Sequence, residues 1–324
     1  MGTGRQRRVD RRQFVREGSA AAAALLVGGG LLQAAPAGPS VVTVRDKTRK
    51  SIDGFQVNAD IARRLVDRAV MTLAGKDDIA KAWATYVGPN DRVAIKFNGL
   101  FPWASTHAEI IHAVTGGLLK AGVDPARIVV CDRDDKDAIT AGLTVSRERD
   151  GIGVYGIRDR CNQSVNAGPV RTSLADILTE ADVLINLPIM KSHNRAGVTG
   201  ALKNHLGSIP NARDFHENFC ASIADLNALG PIKDKTRICI CDALYGGYHG
   251  GPPYVPECRW DYHGVIASVD PVALDAVLDD IVMAKRLEEG MSPRFKPIDH
   301  ITRAAELGLG EADLANINRI SREV

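Results

Sequence analysis

Five short apolar runs dominate this chain: "DRVAIKFN" (91–98), "RIVVCDR" (127–133), "DVLINLP" (182–188), "RICICDAL" (237–244) and "GVIASVD" (264–270). Each is near-continuous rather than alternating, the pattern of a strand buried on both faces. With "VVTVR" (41–45) they are spaced by stretches of helical periodicity over 58–75, 77–87, 105–122, 173–181, 219–229, 271–287 and 299–310. Strand–helix–strand units of about 40 residues imply parallel pairs with right-handed crossovers. Aromatic residues make up only 5% of the chain, so Val, Ile, Leu and Ala must build the core. These features predict an α/β fold of Rossmann-like βαβ units, with a mostly parallel sheet, flanking helices and a ligand cleft at the strand carboxyl ends. Ser105 or Thr106 is the expected cap of the third helix, Asp270 and Pro271 open the 271–287 helix, and "GGYHGGPPYVPE" (246–257) reads as a loop.

Residues 1–37 stand apart. Arg11 and Arg12, then Phe14, precede a run rich in Ala, Gly and Leu that ends at Ala35-Pro36-Ala37. A basic start, an apolar middle and an Ala-x-Ala site form a secretory leader, and the arginine pair points to the twin-arginine export machinery. Cleavage after Ala37 is expected, leaving no stable membrane span and a periplasmic or extracellular protein; an uncleaved anchor is the alternative. Residues 38–324 then form the α/β domain, with two lobes over about 41–180 and 181–324 as a possible division. Of the 41 basic and 39 acidic residues, six and two lie in the leader. The remaining 35 and 37 give net −2, so no basic stripe points to nucleic acid. None of the six cysteines forms a Cys-x-x-Cys pair, so no iron–sulfur cluster is expected. Cys239 and Cys241 read as small apolar residues on one face of a strand.

The chemistry gathers in "KSHNRAGVTGALKNHLGSIPNARDFH" (191–216). It follows an apolar strand, so Lys191 and His193 are expected in a loop over the sheet edge. Lys203 lies in a small-residue stretch where Gly197, Thr199 and Gly200 would let a backbone approach a ligand and leave amides free for an anion. Converging lysines bind carboxylate or phosphate and depress one another's pKa, and a desolvated lysine acts as base or nucleophile. Lys203, His193 and Lys191 are therefore the catalytic candidates. Lys96, Asn98, Thr199, Asn204, Asp242 and Asp270 are candidates for holding substrate or cofactor, and His216 and His193 for holding a metal ion. His205 points about 200° away from Lys203 on a helix and reads as incidental. Asp270 is equally explained as a helix cap.

"NLPIMKSH", "VTGALKNHLGSIP", "DRVAIKFN", "DALYGGYHGGP" and "SVDPVALDAV" together resemble the DUF362 family, over about residues 41–315. Some of its members carry a ferredoxin-type module; this chain lacks the Cys-x-x-Cys repeats of that module. More distantly, the order His193, Lys203, His216 is similar to the core of the lactate racemase family. That resemblance implies Lys203 as the anchor of a nickel-pincer nucleotide, His193 as an acid–base group and His216 as a nickel ligand. The racemases' Arg-Pro-x-Pro stretch is absent, the strand here ending "KFNGLFPW". The expectation is an exported Lys/His acid–base enzyme, of the racemase or isomerase kind among others, acting on a small anionic molecule or carrying an anionic or metal cofactor. The alternative is a periplasmic anion- or metal-binding protein without catalysis.

Overall fold

A computed structural model describes residues 38–294 and 298–324; the expected leader lies outside the described residues. Ten strands form one sheet: β1 (Ser40–Arg45), β2 (Val93–Phe97), β3 (Ile128–Asp132), β4 (Gly153–Gly156), β5 (Val183–Leu187), β6 (Ile189–His193), β7 (Gly197–Thr199), β8 (Thr236–Gly247), β9 (Arg259–Ser268) and β10 (Asn318–Glu323). Their order is β10-β1-β9-β8-β5-β2-β3-β4, with β6 joined to β8 and β7 to β6. Strands from residues 41–180 and 181–324 interleave in this sheet. β8, β5, β2, β3 and β4 are mutually parallel, as the short βαβ units require. β9 runs against both β8 and β1.

Successive residues of the central strands alternate between two buried layers. Val42, Val93, Ile95, Ile128 and Ile185 pack with the helices α1 (Ala59–Ala74) and α2 (Ala108–Lys120). Val41, Ala94, Leu184, Cys239 and Cys241 pack on the other side with α3 (Ala201–Asn204), α4 (Pro271–Glu288) and α5 (Asp299–Glu306). The two cysteines share one face as expected, and all six are free thiols. Asn58 caps α1 through its side chain, and Gly75 ends it at φ 62°, where a Cβ would be strained. Among the described residues no helix is long and apolar enough to cross a membrane.

Three local expectations are corrected. Residues 189–199 are not a loop but a hairpin, β6–β7, in which Lys191 opposes Thr199. β6 also pairs with β8, which continues to Gly247 into the Gly/Pro-rich stretch read as a loop. The polar side chains hid a strand that pairs with both β7 and β8. At α2 the cap residue is His107, not Ser105 or Thr106. The Thr106 hydroxyl instead donates to the Leu187 carbonyl at 2.8 Å, tying this loop to β5.

Candidate functional site

Lys191 and His193 alternate along β6, so both project to one side. Thr199 faces them from β7, and Lys203 and Asn204 come from α3. The start of α3 is set by Asp275 of α4, whose carboxylate accepts from Ala201 N (2.5 Å) and Leu202 N (3.0 Å). A Cβ on Gly200 would collide with this carboxylate. The amides expected to serve an anion are thus already used by Asp275. Burial raises the Asp275 pKa to about 7, and those two amide bonds oppose the rise.

Lys191, His193, Thr199, Lys203 and His216 line one cavity of about 210 Å³, with Asn98 and Phe101 on its other wall. An adjoining space of about 90 Å³ shares Asn98, Lys203 and His216 and adds Lys96, Asp132 and Asn204. Lys96 is not a free cation. Its Nζ lies 2.5 Å from Asp132 Oδ1, with both side chains almost fully buried, and Asp132 also accepts from Gly99 N at 2.6 Å. This neutral pair forms the floor of the site.

Lys191 and Lys203 differ from Lys96. Lys191 Nζ donates to the Ala104 carbonyl (2.6 Å) and to Asn98 Oδ1 (3.3 Å). Its charge lies 5.4 Å from the Phe101 ring centre. Burial, then the nearby Lys203 charge, pulls its pKa down to about 7. Burial likewise lowers Lys203 to about 8, with Cys220 opposing and Lys96 reinforcing. Neither ammonium has a carboxylate partner among the described residues, and Lys203 has no hydrogen bond either.

The histidines are neutral. His193 Nδ1 accepts from Ala196 N (3.0 Å) and Arg195 N (3.2 Å), which leaves its proton on Nε2. Burial, then the Lys203 charge, drives it down to about 2. Its ring stacks on His216, 5.4 Å between centres. His216 Nδ1 donates to the Ala212 carbonyl at 3.0 Å, leaving its Nε2 as an acceptor, and burial followed by Lys203 lowers its pKa. Among the described residues no three His, Cys, Asp or Glu gather to hold a metal ion. A nucleotide that brought its own metal ligands would meet the unpaired Lys203 as an anchor and the His216 Nε2 lone pair as a further ligand in the same cavity.

Behind the cavity runs a chain of side-chain amides. Asn98 Nδ2 donates to Asn204 Oδ1 (3.2 Å), Asn204 Nδ2 to Asn186 Oδ1 (2.8 Å), and Asn186 Nδ2 to His205 Nε2 (3.2 Å). Backbone carbonyls fix the direction. Asn204 Nδ2 also meets Lys96 O at 3.0 Å and Asn186 Nδ2 meets Ala201 O at 2.9 Å. A carbonyl only accepts, so neither amide can turn over. Asn98 must therefore present its oxygen to Lys191. His205, whose burial lowers its pKa to about 3, ends the chain on the far side of α3 and lines a different cavity, as its angle around the helix predicts.

Two candidates lie elsewhere. Asp270 caps α4 through Val272 N and Ala273 N and also accepts from Glu311 N. It follows β9, which runs against the parallel strands, so its carboxyl end sits at the opposite edge of the sheet. Asp242 lies inside β8, fully buried, and accepts from His107 N (2.8 Å), His107 Nδ1 (2.6 Å) and Leu244 N (3.1 Å). Burial pulls the His107 pKa down, but the Asp242 charge and hydrogen bond outweigh it and the net shift is upward.

Sequence reasoning missed His300, a fully buried residue of α5. Both its ring nitrogens lack a partner, and burial, then the Lys203 and His216 charges, lowers its pKa to about 3. No local signal marks it, because it occupies an ordinary buried position of an amphipathic helix.

A family model described as a domain of unknown function, DUF362, matches residues 93–279. Among solved structures, a crystal structure of a protein from Thermotoga maritima is 10% identical with a TM-score of 0.43, covering 74% of this chain and 61% of that one. The lactate racemase apoprotein from Thermoanaerobacterium thermosaccharolyticum is 9% identical with a TM-score of 0.38, covering 75% and 57%. The chain spans about three fifths of the length of these structures. No curated protein matches it.

Proposed function

The chain belongs to the DUF362 family, and from that premise we propose that it is an exported enzyme that binds a small anion between Lys191 and Lys203 and moves a proton on it. One observation carries this reading: two buried lysines line one cavity of about 210 Å³ without a carboxylate partner. An unpaired buried ammonium is costly, and an anion in the cavity offsets both charges at once.

The two lysines divide the work. Lys203, at about 8, stays mostly protonated near neutral pH and holds the carboxylate or phosphate of the ligand. Lys191, at about 7, exists in both forms there, which suits a general acid–base group. His193 presents an N–H and His216 a lone pair at the same cavity, so proton donors and acceptors flank the anion. Racemisation or isomerisation beside a carboxylate fits this set. The second reading is a binder without turnover, which uses the same two cations.

Calorimetric titration with acetate and with inorganic phosphate tests the anion. Wild-type protein binds at least one of them, and Lys203→Met loses that binding while its melting temperature does not fall. Equal binding by the variant refutes the reading. Proton NMR in D₂O separates enzyme from binder: exchange at the carbon next to a bound carboxylate marks turnover, and its absence across a panel of 2-hydroxy and 2-amino acids favours the binder. Export is tested by replacing Arg11 and Arg12 with Lys, which retains the protein in the cytoplasm. Unchanged secretion would count against the twin-arginine route.

A further inference from the structure

In a chain with so few aromatic residues, four gather around a second pocket that Lys191 also borders. Phe55 lies 6.2 Å from Trp103, 5.5 Å from Tyr254 and 6.3 Å from Tyr245, and Trp103 lies 6.4 Å from Tyr254, all between ring centres. The Arg259 guanidinium covers the Tyr245 face at 4.3 Å and the Phe55 face at 4.9 Å. The cluster is nevertheless open to solvent: Trp103 is 60% exposed and Phe55 47%.

Trp103 is held in this position rather than left there. Its φ of 54° is a left-handed conformation that disfavours a bulky side chain. Two buried polar groups hold the strained segment. The Tyr245 hydroxyl donates to the Trp103 carbonyl, and Lys191 Nζ donates to the next carbonyl, that of Ala104, at 2.6 Å. The same ammonium that faces the anion cavity therefore fixes the backbone beside the exposed indole. Lys191 also lines both spaces, the lysine cavity with Phe101 and a second, shallow pocket of only about 20 Å³ with Trp103, Tyr254 and Arg259, so a ring held here lies on the exposed faces of Trp103 and Tyr254 rather than inside the pocket. Backbone strain that displays an apolar ring next to a charged site is a mark of ligand contact.

We propose that the anion of this site carries a planar aromatic ring: its acid group meets Lys191 and Lys203, and its ring stacks at Trp103 and Tyr254. The ligand class is an arylalkanoic acid, with acid and ring separated by a few bonds because one lysine borders both spaces. Stacked or edge-on aromatic pairs add to area burial, enough here for about a tenfold gain in affinity over the bare acid. This inference rests on the lysine reading above.

The test is a calorimetric series of acetate, phenylacetate, 3-phenylpropanoate and cyclohexylacetate, with tryptophan fluorescence read in parallel. At least one aryl acid is expected to bind about tenfold tighter than acetate and to quench emission from Trp103. Cyclohexylacetate, apolar but not planar, is expected to fall between. Trp103→Ala narrows the ratio of aryl-acid to acetate affinity towards one, and Phe55→Ala does so independently should the first variant misfold. If acetate binds as tightly as both aryl acids, the ring inference is overturned and the lysine reading stands. Equal affinity for phenylacetate and cyclohexylacetate overturns the planar ring as well. If no member of the series and no phosphate binds, both readings fail together.

Discussion

Replacing Lys191 with Met should stabilise the protein at neutral pH, unlike most substitutions of a fully buried residue. The folded-state pKa of about 7, against 10.5 for an ordinary lysine, means that the charged form is disfavoured by folding. At about 1.4 kcal/mol per pKa unit, the full penalty is roughly 5 kcal/mol. Below pH 7 folded and unfolded chains both carry the proton, and the whole penalty applies. Between pH 7 and 10.5 the folded protein has released a proton that the unfolded chain keeps, so stability rises with pH. Above 10.5 neither form is charged and the penalty is gone. Methionine removes the charge and keeps most of the stem, but it leaves Ala104 O and Asn98 Oδ1 without their donor, at about 1 kcal/mol each. The variant should therefore gain about 2–3 kcal/mol at pH 6.5 and lose about 2 kcal/mol at pH 10.5. Urea unfolding of both proteins across this range measures the difference, which cancels the titrating groups that do not interact with Lys191 and leaves a smaller contribution from Lys203 and His193. A difference that does not change with pH, or a loss at pH 6.5, would show that the Lys191 charge is already compensated and would remove the basis for an anion site.

Asp275→Ala frees the first amides of α3 and should weaken phosphate binding, because the helix that carries Lys203 loses its anchor; calorimetric titration of the variant checks this. Asp242→Asn should lower the His107 pKa, read by NMR of the imidazole. Since the native value lies above the ordinary 6.5, the stability it brings is complete below 6.5 and fades as pH rises through the folded value, so the variant should lose more at pH 5.5 than at pH 8.5. Burial raises Cys131 to about 12 and pushes Cys239 and Cys241 well up; at pH 8 these three thiols should resist a thiol-specific reagent until the chain unfolds, and rapid labelling of any one would contradict their burial.

What the sequence made legible followed from periodicity. Near-continuous apolar runs marked the parallel strands, and Asn98 directly follows the end of one of them. Strand direction carries no such mark. "GVIASVD" looks like its neighbours, yet β9 runs the other way and takes Asp270 to the far edge. Partnership over distance is equally silent: nothing near Lys96 announces that Asp132 neutralises it. Lys191 and His193 looked like loop residues because they are polar; a strand that lines a cavity buries polar side chains without changing their spacing. His300 lies near enough for the Lys203 and His216 charges to lower its pKa, from a helix 84 positions beyond His216, a proximity that only the tertiary fold supplies.

The chain of asparagines behind the site has a stereochemical consequence. Because the carbonyls of Lys96 and Ala201 pin two of the amides, the chain has a single sense, and Lys191 must give one N–H to Asn98 and another to Ala104. A tetrahedral amine bonded to its own carbon and committed in two further directions has one valence left. When the ammonium sheds its proton, the electron pair is exposed along that valence and no other. Proton loss at Lys191 thus requires no group to turn.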